Sequence, residues 1–416
     1  MKRPSLGSQR KVTVENLVEL GAVRLAEILV GVAETRADLK RRLRMELAAE
    51  QGPLALTREI DKRLASFETS RGQVNWRQGP AFIRDLDATR ALIASRLGPL
   101  DAAAAIERLW RFMDAAREVR SRYRQCNGEL DRVFECAAGD LGVLLAAAPP
   151  GPAAASLVES LARNPSAWKA WLPALLAAAP RLVAEDALRF MAERRGPAPG
   201  WIGLVRQMAD AADDAEAFRA TFTVEALRTP AVAAQVATRL LKADRVEEAG
   251  EVLRAAAPKT TPASRRRIDF DWETAWIGYL AAAGLPEEAQ AARWASFERT
   301  LSAARARAFI GELAGFEDVE AENRAFDVAA NFADFEAGLR FLMEWPSLPA
   351  AARMIERRKD EVEAAPENAE LWAAKLRRRQ PKAAHLLLRR AAAAAFHRRD
   401  FKTCDRLAQE AETIAV

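Results

Sequence analysis

The residue types that most often bind metals or attack substrates are few in this sequence and widely spaced. Its 416 residues hold two histidines, His385 and His397, and three cysteines, Cys126, Cys136 and Cys404. On one continuous helix the histidines would lie ~18 Å apart along the axis, too far to share a metal ion. The cysteines lack the Cys-x-x-Cys spacing of zinc sites, and their odd number argues against a disulfide framework. We therefore predict no metal site and a reducing compartment.

Carboxylate pairs are a second group that could do chemistry, because neighbouring acids can act as general acid and general base. Glu287 and Glu288 fit the first turn of a helix, where the macrodipole favours acids. Asp85 and Asp87 are interpreted as part of a solvated helix face. Glycine-rich phosphate loops, the Gly-x-Ser-x-Gly elbow and the His-Glu-x-x-His motif are absent from the sequence. The sequence predicts a protein that is not an enzyme and has no cofactor.

Basic side chains at helical spacing are the remaining candidates for a functional surface. Arg117, Arg120 and Arg124 recur at i, i+3 and i+7, with Tyr123 interleaved. Arginines on one helical face, together with aromatic side chains, are typical of surfaces that contact phosphates and bases. This stripe is the first candidate for partner binding.

A second basic group lies in the stretch 70–79, whose glycines and polar residues are typical of a loop. There Arg71 and Arg77 flank Trp76. If this loop meets the helix of the first group, arginines and aromatics converge into one nucleic-acid-binding surface. The competing interpretation, which the sequence favours, buries Trp76 and Tyr123 in the core beneath the aliphatic stems of the arginines.

A third basic group is the run Arg265, Arg266 and Arg267, which follows Ser264, a natural N-cap residue. Cations at the start of a helix oppose its macrodipole, and acidic residues further along offset this only in part. The unfavourable electrostatic energy that remains suggests that these arginines contact an acidic partner.

The elements that must position these side chains are predicted to be helices. Hydrophobic residues make up 50% of the chain, aromatics only 7%, and alanine, the best helix former, is abundant. Long alternations of β-branched residues are lacking. Leu39, Leu43 and Leu47 recur every four residues, so that Arg41 and Arg42 fall on the solvated side of their helix.

The chain is predicted to fold as stacked helical hairpins that form an irregular tetratricopeptide-like solenoid. Apolar residues followed by a small residue three positions later open new helices after turns at Asp244, Asp334 and Asp400. The run Pro149-Pro150-Gly151-Pro152 predicts a linker. We predict a disordered basic tail at 1–12, a helical domain at 13–148 and a hairpin solenoid at 153–416.

Charge and hydropathy favour a soluble chain. The sequence has 63 basic and 58 acidic residues, a net charge of +5. Apolar stretches are interrupted before the ~18 residues that a membrane helix needs, and no apolar run follows the basic N-terminus as a secretory signal requires. We predict a cytoplasmic protein without membrane contact.

Several stretches resemble a bacterial, all-helical family of unknown function with tetratricopeptide-like hairpins. The resembling stretches include Leu109-Trp110-Arg111-Phe112, Asn127-Gly128, and Pro381-Lys382-Ala383-Ala384. The resemblance implies an all-helical fold and no activity. Together, these features predict a non-catalytic scaffold or adaptor that binds a protein partner. The alternative is a nucleic-acid-binding or regulatory protein that uses an arginine-rich helical face.

Overall fold

Every regular element in the described part of the chain is a helix. The computed structural model describes residues 12–123, 128–193, 200–258, 269–315, 317–362 and 364–415, and no strand occurs within these ranges. Most of the larger helix contacts join helices that are neighbours or next-but-one neighbours in the chain. The all-α prediction is therefore confirmed. No helix within the described ranges is both long enough and apolar enough to cross a membrane.

The chain divides into two units, Met1–Phe222 and Thr223–Val416. The helices of the first unit are α1 (Val14–Val18), α2 (Ala22–Thr35), α3 (Ala37–Glu50), α4 (Pro53–Thr69), α5 (Gly79–Leu92), α6 (Gly98–Leu100), α7 (Ala102–Asp114), α8 (Ala116–Arg122), α9 (Glu129–Leu145), α10 (Pro150–Arg163), α11 (Pro165–Ala178), α12 (Arg181–Glu193), α13 (Trp201–Ala211) and α14 (Ala215–Arg219). A π-helical turn, Ile93–Leu97, continues α5 into α6.

Prolines and short polar side chains mark where these helices begin. Pro53, Pro150 and Pro165 each open a helix, at a position where a backbone N–H would have no partner within the helix. Asp101 caps α7, because its carboxylate accepts a hydrogen bond from the Ala104 N–H at 2.9 Å. These four helix starts therefore follow from local chemistry.

Aromatic side chains fill the core of the first unit between α7, α9 and α11. The ring centre of Phe134 lies 5.3 Å from those of both Phe112 and Trp171. Trp168 packs edge-on against Trp171 at 5.7 Å, and its indole N–H donates to Ser160 Oγ at 3.1 Å. These four rings are almost fully buried, so they anchor the three helices to one another.

The predicted boundary between 13–148 and 153–416 does not coincide with the division between the units. Pro150 begins α10, so residues 150–152 belong to a helix. Leu145 before this point and Leu157 after it are fully buried in the same core. Prolines in a first turn lack only N–H groups that are unpaired there anyway, so a proline-rich stretch can start a helix. The predicted tail, 1–12, lies outside the described residues except at its last position.

The second unit consists of twelve helices within the described residues. They are α15 (Val224–Leu227), α16 (Pro230–Lys242), α17 (Val246–Ala255), α18 (Phe270–Ala282), α19 (Pro286–Thr300), α20 (Ala303–Ile310), α21 (Glu317–Ala330), α22 (Phe335–Glu344), α23 (Leu348–Arg357), α24 (Pro366–Leu376), α25 (Pro381–His397) and α26 (Phe401–Glu412). A 3-10 turn, Lys359–Glu361, follows α23.

The helix starts predicted after three turns of this unit are confirmed. Helices α17, α22 and α26 begin at Val246, Phe335 and Phe401. Asp334 and Asp400 cap the last two, each accepting a hydrogen bond from a backbone N–H in the first turn. Each of these helices packs on the one before it, namely α16, α21 and α25.

A small residue allows one of these pairs to approach closely. A Cβ atom on Gly338 would lie 2.3 Å from the carbonyl oxygen of Ala329, so α21 and α22 touch backbone to backbone. The core beside this contact is aromatic: the ring centre of Phe297 lies 5.2 Å from that of Trp294 and 5.3 Å from that of Phe341.

Candidate functional site

The loop between α4 and α5, residues 70–78, is held against the C-terminal end of α8. The Val74 N–H donates to the Arg122 carbonyl oxygen at 3.0 Å, and the Arg122 Nε–H donates to the Gly72 carbonyl oxygen at 2.9 Å. The two segments that the sequence singled out therefore meet. We call residues 70–78 together with α8 the loop–helix surface.

Trp76 projects from this loop into solvent. It is 70% exposed, and the Arg77 guanidinium carbon lies 5.0 Å from the centre of its ring. Arg71 is exposed as well, and the loop contains no Asp or Glu. The interpretation that buries Trp76 is wrong, because backbone bonds and the partly buried Val74 anchor the loop and leave the indole on its outer side.

Tyr123, by contrast, belongs to the core as the sequence favoured. It is 3% exposed and stacks on Phe82 with ring centres 6.2 Å apart. The Arg122 guanidinium carbon lies 5.5 Å from the centre of the Phe82 ring, so this arginine covers an aromatic core residue. Trp76 is therefore the aromatic side chain that this surface presents.

The arginines of α8 do not form one free stripe. Arg117 is exposed, but Arg120 forms an ion pair with Asp131, and its guanidinium carbon lies 5.3 Å from the centre of the Trp171 ring. Arg120 therefore contributes to packing as well as to charge. Four predicted contact residues lie outside the described part of the chain: Arg124, Arg265, Arg266 and Arg267.

An ion cluster beneath the loop was not predicted. Arg63 Nη2 pairs with Asp85 Oδ2, and Arg41 Nη2 lies 3.4 Å from Asp85 Oδ1. The side chains of Arg63 and Asp85 are 15% and 16% exposed, and the Arg63 guanidinium carbon lies 4.2 Å from the centre of the Phe67 ring. Burial lowers the pKa of Arg63, and the adjacent charge of Asp85 opposes that shift.

The solvated position expected for Asp85 is wrong, and Arg41, although 41% exposed, is directed towards it for a specific reason. On α3 the buried residues are Met45 and Ala48, whereas Leu47 of the predicted apolar stripe is 63% exposed. The inward face of α3 is thus rotated from the leucine stripe, and it carries Arg41 towards Asp85. The spacing of apolar residues within one helix identifies an apolar stripe. It does not show which residues on either side of that stripe the neighbouring helices cover.

Two cavities adjoin this cluster. The smaller one, about 260 Å³, lies between Val74 and Gln78 of the loop and the side chains of Arg41, Arg63 and Asp85. The larger one is an open groove of about 530 Å³ between α3 and α5, which we call the α3–α5 groove. The two cavities share Arg41 and Asp85, so the cluster lies where they join.

The carboxylates near these cavities are neutralised by arginines. Asp87 Oδ1 lies 2.7 Å from Arg90 Nε, and Glu46 Oε2 lies 2.7 Å from Arg96 Nη2. Asp85 already has two arginine partners. Carboxylates held in this way are poorly placed to exchange protons with a substrate, whereas the surrounding guanidinium groups suit the binding of anions. Among the described residues, no three His, Cys, Asp or Glu side chains are grouped so as to hold a metal ion.

Fold and site together define an all-helical protein with a basic surface that presents a tryptophan. The chain belongs to a family of unknown function, DUF6880, whose model matches residues 8–194 and 198–403. This confirms the resemblance to an all-helical family without an assigned activity. Comparison with curated proteins and with solved structures found no match.

Proposed function

We propose that this chain is a non-catalytic scaffold or adaptor whose loop–helix surface binds an acidic segment of a protein partner. The observation that supports this is Trp76, which is 70% exposed with Arg77 against its ring. Tryptophan and arginine are the side chains that most often dominate the energy of protein interfaces. A large aromatic residue held out in solvent on an anchored loop is already arranged for contact, so binding it costs little ordering entropy.

The charge of the surface selects the class of partner. The loop carries Arg71 and Arg77 without a single acid, and α8 adds the exposed Arg117 beside Glu118. A partner segment rich in Asp and Glu would complement this charge, steer association and disfavour basic partners. The tetratricopeptide-like stacking that we propose for the second unit would add an extended surface suited to the same scaffold role in the cytoplasm.

Substitution of Trp76 by alanine is expected to weaken the complex with the partner at least 30-fold, about 2 kcal/mol, as for a central interface residue. The tagged full chain is used to capture the partner from its own cell lysate. The acidic segment of that partner is then synthesised and titrated against wild type and variants. Phe401→Ala is the matched control, because Phe401 is an aromatic residue of the second unit that is 56% exposed.

Two results would contradict the proposal. One is a partner that binds Trp76→Ala as tightly as wild type. The other is a contact segment without Asp or Glu. Retention of the complex after nuclease treatment is expected, since the partner is a protein.

Single-stranded nucleic acid is the second candidate partner, because the loop and α8 do meet and the Trp76 ring is open to stacking. Arg71→Glu with Arg77→Glu is then expected to lower affinity for a labelled oligonucleotide and to reduce the slope of log K against log salt by ~0.7 per lost phosphate contact. Fluorescence anisotropy at several salt concentrations measures both. Arg120→Glu is a poorer probe, since it also breaks the ion pair with Asp131. An unchanged slope would exclude these two arginines as phosphate contacts.

A further inference from the structure

We propose that the α3–α5 groove is a binding site for a small organic phosphate, separate from the partner of the loop–helix surface. The groove measures about 530 Å³. This falls within the ~300–1,000 Å³ typical of small-molecule sites. The site uses none of the exposed loop residues invoked for partner binding.

The groove carries more positive than negative charge. Five arginines line it: Arg36, Arg41, Arg42, Arg84 and Arg96. Three acids also line it: Glu46, Asp85 and Asp87. Each acid already forms an ion pair: Glu46 with Arg96, Asp85 with Arg63, and Asp87 with Arg90. The acids therefore do not neutralise the positive charge of the arginines that have no acidic partner.

Two of those arginines are left for a ligand. Arg42 on α3 and Arg84 on α5 form no ion pair with any residue in the described ranges. They come from the two helices that form the opposite walls of the groove. A guanidinium group offers a planar fork of donors that matches two phosphate oxygens, and two such groups match the double charge of a phosphate monoester.

Arg41 adds positive charge where the groove adjoins the smaller cavity, although Asp85 already holds it. Arg41 lines the groove, and its Nε–H is buried without an acceptor among the described residues. Buried N–H groups in folded proteins are nearly always hydrogen-bonded.

The rest of the lining indicates that the phosphate carries an organic body. Leu39, Met45 and Leu92 contribute apolar surface beside the arginines. Sites for small ligands combine such apolar walls with a few polar groups that fix orientation. Inorganic phosphate would contact the arginines but leave this surface uncovered, so it binds more weakly than an ester.

Isothermal titration of the full chain tests the proposal with three organic phosphates: adenosine monophosphate, glucose 6-phosphate and phenyl phosphate. At least one of them is expected to bind with a Kd below about 1 mM, inorganic phosphate more weakly, and adenosine not at all. Arg42→Gln and Arg84→Gln are each expected to weaken binding about tenfold, the loss of one charged hydrogen-bonding group. Arg44→Gln is the matched control, because Arg44 is exposed on α3 and does not line the groove.

The proposal is overturned if none of the three esters binds, or if Arg44→Gln weakens binding as much as Arg42→Gln. It is also overturned if an oligonucleotide, and no small ester, binds in a manner that depends on Arg42 and Arg84. Loss of the protein partner in Trp76→Ala is a separate measurement, so either proposal can fail while the other stands.

Discussion

Gly142→Ala is expected to lower the free energy of unfolding by about 3 kcal/mol, the upper part of the range for overpacking a core. A Cβ atom at this position would lie 2.3 Å from the carbonyl oxygen of Leu175, 3.1 Å from its carbonyl carbon and 3.2 Å from the Cβ of Ala178. These are backbone and Cβ atoms of α11, which cannot rotate away. The whole helix must shift, and it carries two tryptophans of the aromatic core with it.

Gly139 provides a matched control one turn earlier on the same helix. The nearest atom to a Cβ there is the carbonyl oxygen of Ala174 at 3.8 Å, an ordinary contact. Gly139→Ala is therefore expected to raise stability by up to ~1 kcal/mol, the difference in helix propensity between the two residues. Urea unfolding of the full chain measures both variants, and hydrogen exchange in peptides from α9 and α11 localises the change. Equal stability of the two variants would contradict the close helix contact.

Asp85→Asn is expected to destabilise the chain by about 2–3 kcal/mol, because it leaves the largely buried Arg63 without its anion. This lies below the range for fully buried pairs, since the two side chains keep 15% and 16% of their exposure. The nearby Arg41 adds a second positive charge, so the neutral amide leaves two neighbouring cations unbalanced. Urea unfolding measures the lost stability. The backbone amides of the residues that line the two cavities are expected to exchange their hydrogens faster.

Asp87→Asn is the control for this variant, and its effect is expected to stay within ~0.5 kcal/mol. Asp87 is 47% exposed, and its partner Arg90 keeps a second carboxylate, Asp140. If both variants lost equal stability, burial of the Arg63 pair would not be the cause.

A double variant separates the loss of the pair from the burial of an unpaired charge. Arg63→Met with Asp85→Leu removes both charges and keeps an apolar side chain against Phe67. Replacing both partners of a buried pair by apolar residues is often close to neutral. The double variant is therefore expected to be more stable than Asp85→Asn alone. A double variant that is less stable would show that the pair itself stabilises the fold.

The comparison of α2 and α3 shows what an amphipathic pattern can establish. On α2, Ile28, Leu29 and Val32 recur as a stripe, yet each remains more than 40% exposed. On α3 the buried face is Met45 and Ala48, rotated from the leucine stripe. On α3 the pattern predicted the helix correctly, but in both helices which side is buried depends on neighbouring helices that the local sequence does not specify.

The sequence by itself determined the helical class, the loop predicted at 70–79 to within one residue, and the starts of α17, α22 and α26. These depend on capping, proline placement and helix propensity, which act within a few residues. The tertiary structure decided which distant side chains meet. It exposed Trp76, joined Arg63 to Asp85 across 22 positions of the chain, and placed Gly142 directly against the backbone of α11. Those outcomes depend on how helices pack side by side, because burial and charge pairing are set by atoms brought together only in the folded chain.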